Sequence, residues 1–169
     1  NDGDAGFCTC DKCRAWDIVE SKGEPRMEGE HVILSERYAR FANEAAKRLK
    51  EVDPQAWAFM YAYSWYQPAP REVATAANVI VGFSDFSRYP MTPEAQENAR
   101  KQFHGWMRGG AKGILRPNSF YFLVPCAPYV VTRQLCADLQ FMLPNIYGTD
   151  FDYLNGYWAT HGPVYYVAA

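Results

Sequence analysis

A chain of 169 residues with 49% hydrophobic, 16% aromatic and 21% charged residues is long enough for one domain with a sizeable core, which excludes a disordered polypeptide. A formal net charge of -2 and an isoelectric point near 5.9, with lysines and arginines scattered among acids, exclude a phosphate-tracking surface, so nucleic acid is not an expected partner. The longest apolar stretch, Phe120 to Ala127, is far short of the roughly 20 residues of a membrane-spanning helix.

The chain opens on Asn1-Asp2-Gly3-Asp4 followed by Cys8-Thr9-Cys10-Asp11-Lys12-Cys13, an acidic, cysteine-rich loop of the kind that stands after a strand. At the other end Tyr165-Tyr166-Val167-Ala168-Ala169 stops inside an apolar run without a cap, so both ends read as cuts and the expectation is a single partial domain, residues 1–169, of a longer polypeptide. From Ser35 a helical pattern places Tyr38, Phe41, Ala45, Ala46 and Leu49 on one stripe, with Ser35 as its N-cap and Pro54 as its stop. Ala56 to Tyr63 suits a buried strand, followed by Ser64-Trp65-Tyr66-Gln67-Pro68-Ala69-Pro70, where two prolines stiffen a pair of aromatics.

Asn78 to Phe83 is the second expected strand. Thr92-Pro93-Glu94 begins a helix towards Arg108 that Gly109-Gly110 ends. Ser119 to Val124 is expected as a third strand and Thr132 to Leu143 as a helix burying Leu135, Leu139 and Met142. Asn145 to Tyr147 is expected as a short strand, and a last helix includes Asp152 to Tyr157 or begins after Gly162-Pro163. Alternating strands and helices without an internal repeat imply an α/β fold with a parallel sheet: the C-terminal part of a (β/α)8 barrel, which needs roughly 250 residues when complete, or an open parallel sheet.

The loop contents resemble a bacterial family catalogued as a domain of unknown function, DUF4838-like, whose members look like glycoside-hydrolase barrels of the alpha-glucuronidase and hexosaminidase type. The resemblance lies in Asn1-Asp2-Gly3 leading into Cys8-x-Cys10-x-x-Cys13, the helix with Tyr38, Phe41, Asn43 and Ala46, Ala62-Tyr63-Ser64 before Pro68 and Pro70, Pro117 to Phe122, and Gly156-Tyr157-Trp158 before Gly162 and Tyr166. It implies a barrel that processes or binds a glycan or oligosaccharide, an extracytoplasmic address in a bacterium, and an N-terminal part of the same barrel outside this chain.

Glycosidic cleavage needs two carboxyl groups across the scissile bond, and the acids on candidate strand-end loops are Asp2, Asp4, Asp85, Asp150 and Asp152, of which Asp2, Asp85 and Asp150 are the catalytic candidates and Asp152 a substrate contact. Sugar rings stack on flat aromatics, for which Trp65, Tyr66 and Trp158 are placed, and His161 has a loop position facing the same edge. The alternatives are a non-catalytic carbohydrate-binding domain and a structural support domain with a cysteine clip. No cofactor is required. Cys8, Cys10 and Cys13 could supply three thiolates for a structural zinc, with a fourth ligand from a distant cysteine or histidine, and a disulfide involving one of them or reduced structural thiols are the alternative readings. The sequence has no Gly-x-Ser-x-Gly elbow and no phosphate-binding glycine loop, which disfavours triad hydrolysis and nucleotide chemistry.

Overall fold

The computed structural model describes residues 7–17, 25–83, 91–115 and 132–149. In chain order these form α1 (Asp11–Arg14), β1 (Met27–Glu28), β2 (His31–Val32), α2 (Ser35–Val52), β3 (Ala58–Ala62), β4 (Val79–Phe83), α3 (Pro93–Met107), β5 (Lys112–Leu115), α4 (Thr132–Met142) and β6 (Ile146–Thr149). The expected strand Ser119–Val124 and the last helix lie outside the described residues.

β3, β4, β5 and β6 form one parallel sheet in sequential order, and β1 and β2 form a separate antiparallel hairpin. The fold is α/β. Side chains alternate across the sheet, so Ala58, Met60 and Ala62 share a face with Val79, Val81 and Phe83. That face carries the core: it packs with Ala39, Ala42 and Ala46 of α2, Phe103 and Trp106 of α3, and Met142 of α4. Three helices therefore cover one face of the sheet.

The opposite face carries Trp57, Phe59 and Tyr61, which are 43%, 50% and 39% exposed. Phe59 and Tyr61 meet edge to face at 4.7 Å above Gly82, where a side chain would strike the Tyr61 ring. Trp57, just before β3, lies 5.8 Å from Tyr147 of β6. Three strand spacings of about 4.8 Å would hold the first and last strands about 14 Å apart in a flat sheet, so the two rings meet by leaning towards each other, which a sheet curled towards this face makes easier.

Several expectations change for physical reasons. Ser35 is the first residue of α2 rather than its N-cap, and its hydroxyl donates to the Pro68 carbonyl. The buried stripe of α2 is Glu36, Ala39, Ala42 and Ala46, while Phe41 is 65% exposed. Alanines let the helix backbone approach the small residues of β3, and the aromatics Tyr38 and Phe41 turn to the cysteine loop instead. Trp57 and Phe59, inside the run that suits a buried strand, stand on the face opposite these helices and are exposed. The expected Thr92 cap is present, with its side chain accepting from the Ala95 N–H at 3.2 Å. No described helix is long and apolar enough to cross a membrane.

Candidate site at the carboxyl edge of the sheet

The chain leaves β3 through Tyr63 and enters a single 3-10 turn, Ser64–Tyr66, by placing Ser64 in the left-handed region at φ 52°. The turn is held from three sides. The Leu34 N–H, at the start of α2, donates to the Trp65 carbonyl at 2.8 Å, and Trp106 Nε1 of α3 donates to the Gln67 carbonyl at 2.9 Å. Ala69 N–H donates to Gln102 Oε1 at 2.7 Å. Farther along, the buried Glu36 carboxylate accepts from the N–H groups of Arg71, Glu72 and Val73, the last two at 3.1 and 3.0 Å. Backbone polarity that would otherwise be orphaned in this long β3–β4 connection is thus satisfied by side chains.

The two aromatics of the turn have different surroundings. Tyr66 is 6% exposed, and its ring stacks on Tyr38 at 3.8 Å and 7°. Burial raises the Tyr38 hydroxyl above its ordinary pKa. Trp65 is half-buried, with Phe7 at 5.2 Å and the exposed His31 at 4.8 Å from its ring. Together these rings make an aromatic wall beyond the carboxyl end of β3.

The cysteine loop lies against that wall. Cys13 and Arg14 N–H groups both donate to the Cys10 carbonyl at 3.0 Å, closing α1 and gathering the thiols. The Sγ atoms of Cys8, Cys10 and Cys13 all lie within 4.8 Å of one another, and those of Cys8 and Cys10 are 3.4 Å apart. The described cysteines are free thiols, and this cluster could hold a metal ion. Arg37 braces the loop: its guanidinium pairs with both carboxylate oxygens of Asp17, at 2.8 and 2.6 Å, and donates to the Cys8 carbonyl at 2.7 Å. The Asp17 partnership raises the Arg37 pKa further. Phe7, Cys8, Cys13, Trp16, Arg37, Tyr38 and Phe41 line an open pocket of about 310 Å³.

Within the cluster the Cys13 N–H, with help from the neighbouring thiols, lowers the Cys10 pKa to about 7. Cys13 is raised to about 11 by its hydrogen bonds to Cys8 and Cys10. In reduced, metal-free protein the Cys10 thiolate therefore builds up as pH rises through about 7 while Cys13 remains a thiol. Timed alkylation followed by peptide mass mapping should show Cys10 labelling half-maximal near pH 7, ahead of Cys13; simultaneous labelling of both with rising pH would contradict it.

Of the residues expected at the site, Cys8, Cys10, Cys13, Trp65 and Tyr66 come together. Asp2, Asp4, Asp85, Asp150, Asp152, Trp158 and His161 lie outside the described residues. Sequence reasoning missed Phe7, Arg37 and Asp17, whose roles arise from contacts across the chain, and put Tyr38 on the apolar stripe of the helix without a part in the site. The family model described as "Domain of unknown function (DUF4838)" matches residues 1–112, a span that contains the cysteine loop, α2, the aromatic turn and α3. No curated protein and no solved structure matches the chain. With more than half of its length matched, the protein belongs to this family of domains of unknown function.

Proposed function

We propose that this chain is part of a closed (β/α)8 barrel of the glycoside-hydrolase type, which holds a glycan at the carboxyl edge of its strands. The supporting observation is the sheet itself. Sequential parallel strands with α2, α3 and α4 on one face among the described residues, and Trp57 meeting Tyr147 across the other, are what a barrel wall around an interior would give. A doubly wound open sheet instead has a strand-order reversal and helices on both faces.

In such a barrel, ligands sit on the loops after the strands, where Trp65 lies. In chain order Asp85 comes close behind β4 and Asp150 directly behind β6. Two of Asp2, Asp85 and Asp150 then act as general acid and as base or nucleophile, with Asp152, Trp158 and His161 contributing to substrate contacts. Carboxyl groups about 5 Å apart would give retention, and a separation of about 6.5–9.5 Å would give inversion. Trp65→Ala should weaken oligosaccharide binding by roughly tenfold, the size of one lost aromatic stacking contact. Calorimetry over a panel of oligosaccharides checks this, and unchanged affinity would contradict the aromatic wall.

The thiol cluster favours a second reading, a support domain in which the cysteine loop is a clip closed through its gathered thiols. The two readings separate on whether any oligosaccharide binds or is cleaved.

A further inference from the structure

We infer that Cys8, Cys10 and Cys13 form a thiolate site for zinc or a zinc-like divalent ion, with three protein ligands and a fourth position open to the neighbouring pocket. The inference builds on the clip reading and adds the ion, the ligand number, the exchangeable position and a consequence for the aromatic wall. It does not depend on glycan binding.

Three observations carry it. First, a tetrahedral ion about 2.3 Å from each sulfur needs sulfurs about 3.8 Å apart. The three Sγ atoms lie within 4.8 Å, with one pair already at 3.4 Å, so small side-chain adjustments suffice. Cys8 and Cys10 are exposed, which removes the ordinary explanation of cysteine as a small core hydrophobe. An all-sulfur donor set selects a soft or borderline ion over magnesium or calcium.

Second, the loop has an outer shell. Arg37 fixes the Cys8 carbonyl and is itself fixed by Asp17, while the Cys10 carbonyl accepts two N–H groups from the α1 turn. Such partners hold the ligands in place, and the guanidinium lies near a complex of one dication and three thiolates that carries a net negative charge. Third, no other histidine, cysteine or carboxylate among the described residues joins the group. Cys8 and Cys13 instead line the open pocket of about 310 Å³, which gives water or a small exogenous ligand a route to the fourth position. Because Phe7 precedes Cys8 and its ring meets Trp65, Tyr38 and Tyr66, the ion would also hold Phe7 in the wall.

Cobalt titration of the reduced protein tests the site. The expected result is one equivalent bound, with a near-ultraviolet sulfur-to-metal charge-transfer band of three-thiolate intensity that zinc abolishes by displacement. Azide should shift the visible bands without releasing the metal. Cys10→Ser should weaken binding by more than the roughly 10–100-fold typical of losing an outer-shell partner. In the unmutated chain, zinc should protect three of the five cysteines from alkylation, and peptide mapping should identify them as Cys8, Cys10 and Cys13. That measurement keeps the test valid if a serine variant fails to fold. Absence of a stoichiometric charge-transfer band would overturn the inference; a disulfide within the cluster in the same protein would leave the clip standing without its metal. Four-thiolate intensity with no azide response would overturn the open position.

Discussion

Glu36→Ala is expected to destabilise the protein by about 2–4 kcal/mol. Glu36 is 1% exposed, and both carboxylate oxygens are used by the N–H groups of Arg71, Glu72 and Val73. Leaving a buried donor unsatisfied costs about 1–3 kcal/mol. Arg71 and Glu72 are exposed and their N–H groups can turn to water, whereas Val73 is half-buried, so the three losses do not simply add. Glu36 also sits in the first turn of α2, where a negative charge is favoured by the helix dipole. The expected readout is a lower urea midpoint with an unchanged slope. A shift worth less than about 0.5 kcal/mol, the range of ordinary surface substitutions, would show that the loop is held by other means. Trp65 belongs to the same connection, so the variant should also loosen the aromatic wall.

Phe103→Ala should cost more, about 3–5 kcal/mol, the usual range for deleting a fully buried aromatic. Phe103 is 0% exposed, packs with Phe83 at 5.9 Å and Phe141 at 6.1 Å, and lies directly over Gly113 of β5. A Cβ at Gly113 would collide with the Phe103 ring. This gives the prediction a second arm. Gly113→Ala should destabilise the otherwise unchanged protein by about 1–3 kcal/mol through overpacking, and should cost far less once Phe103 is alanine. Thermal or urea unfolding of the four members of the cycle measures the coupling, and simple additivity would contradict the contact.

The parts of the fold legible in sequence are those with local causes. Thr92-Pro93-Glu94 specifies a helix start through cap chemistry and proline geometry, and α3 begins there. The apolar runs before Ala62 and Phe83 specify β3 and β4, and the register between them follows from burial of one face. β5 was hidden because Lys112-Gly113-Ile114-Leu115 is too short and too interrupted to read as an apolar run. Its glycine is explained only by the Phe103 ring lying over it.

The face of α2 was misassigned for a related reason. Hydrophobic weight points to Tyr38 and Phe41, but the sheet accepts the small alanines, and a buried glutamate is stable there only because three backbone donors from residues 71–73 meet it. At the candidate site the thiols were legible from spacing. Their bracing by Arg37 and Asp17 was not, since those residues meet through tertiary contact without a shared motif.

The most direct test of the proposed glycan-holding barrel is a crystal structure of the protein with a bound oligosaccharide from a mixed panel. The expected result is a sugar at the carboxyl edge against Trp65, with two of Asp2, Asp85 and Asp150 across a glycosidic bond at about 5 Å or about 6.5–9.5 Å. A sugar bound away from that edge, or no pair among those aspartates closer than about 12 Å, would contradict the catalytic reading.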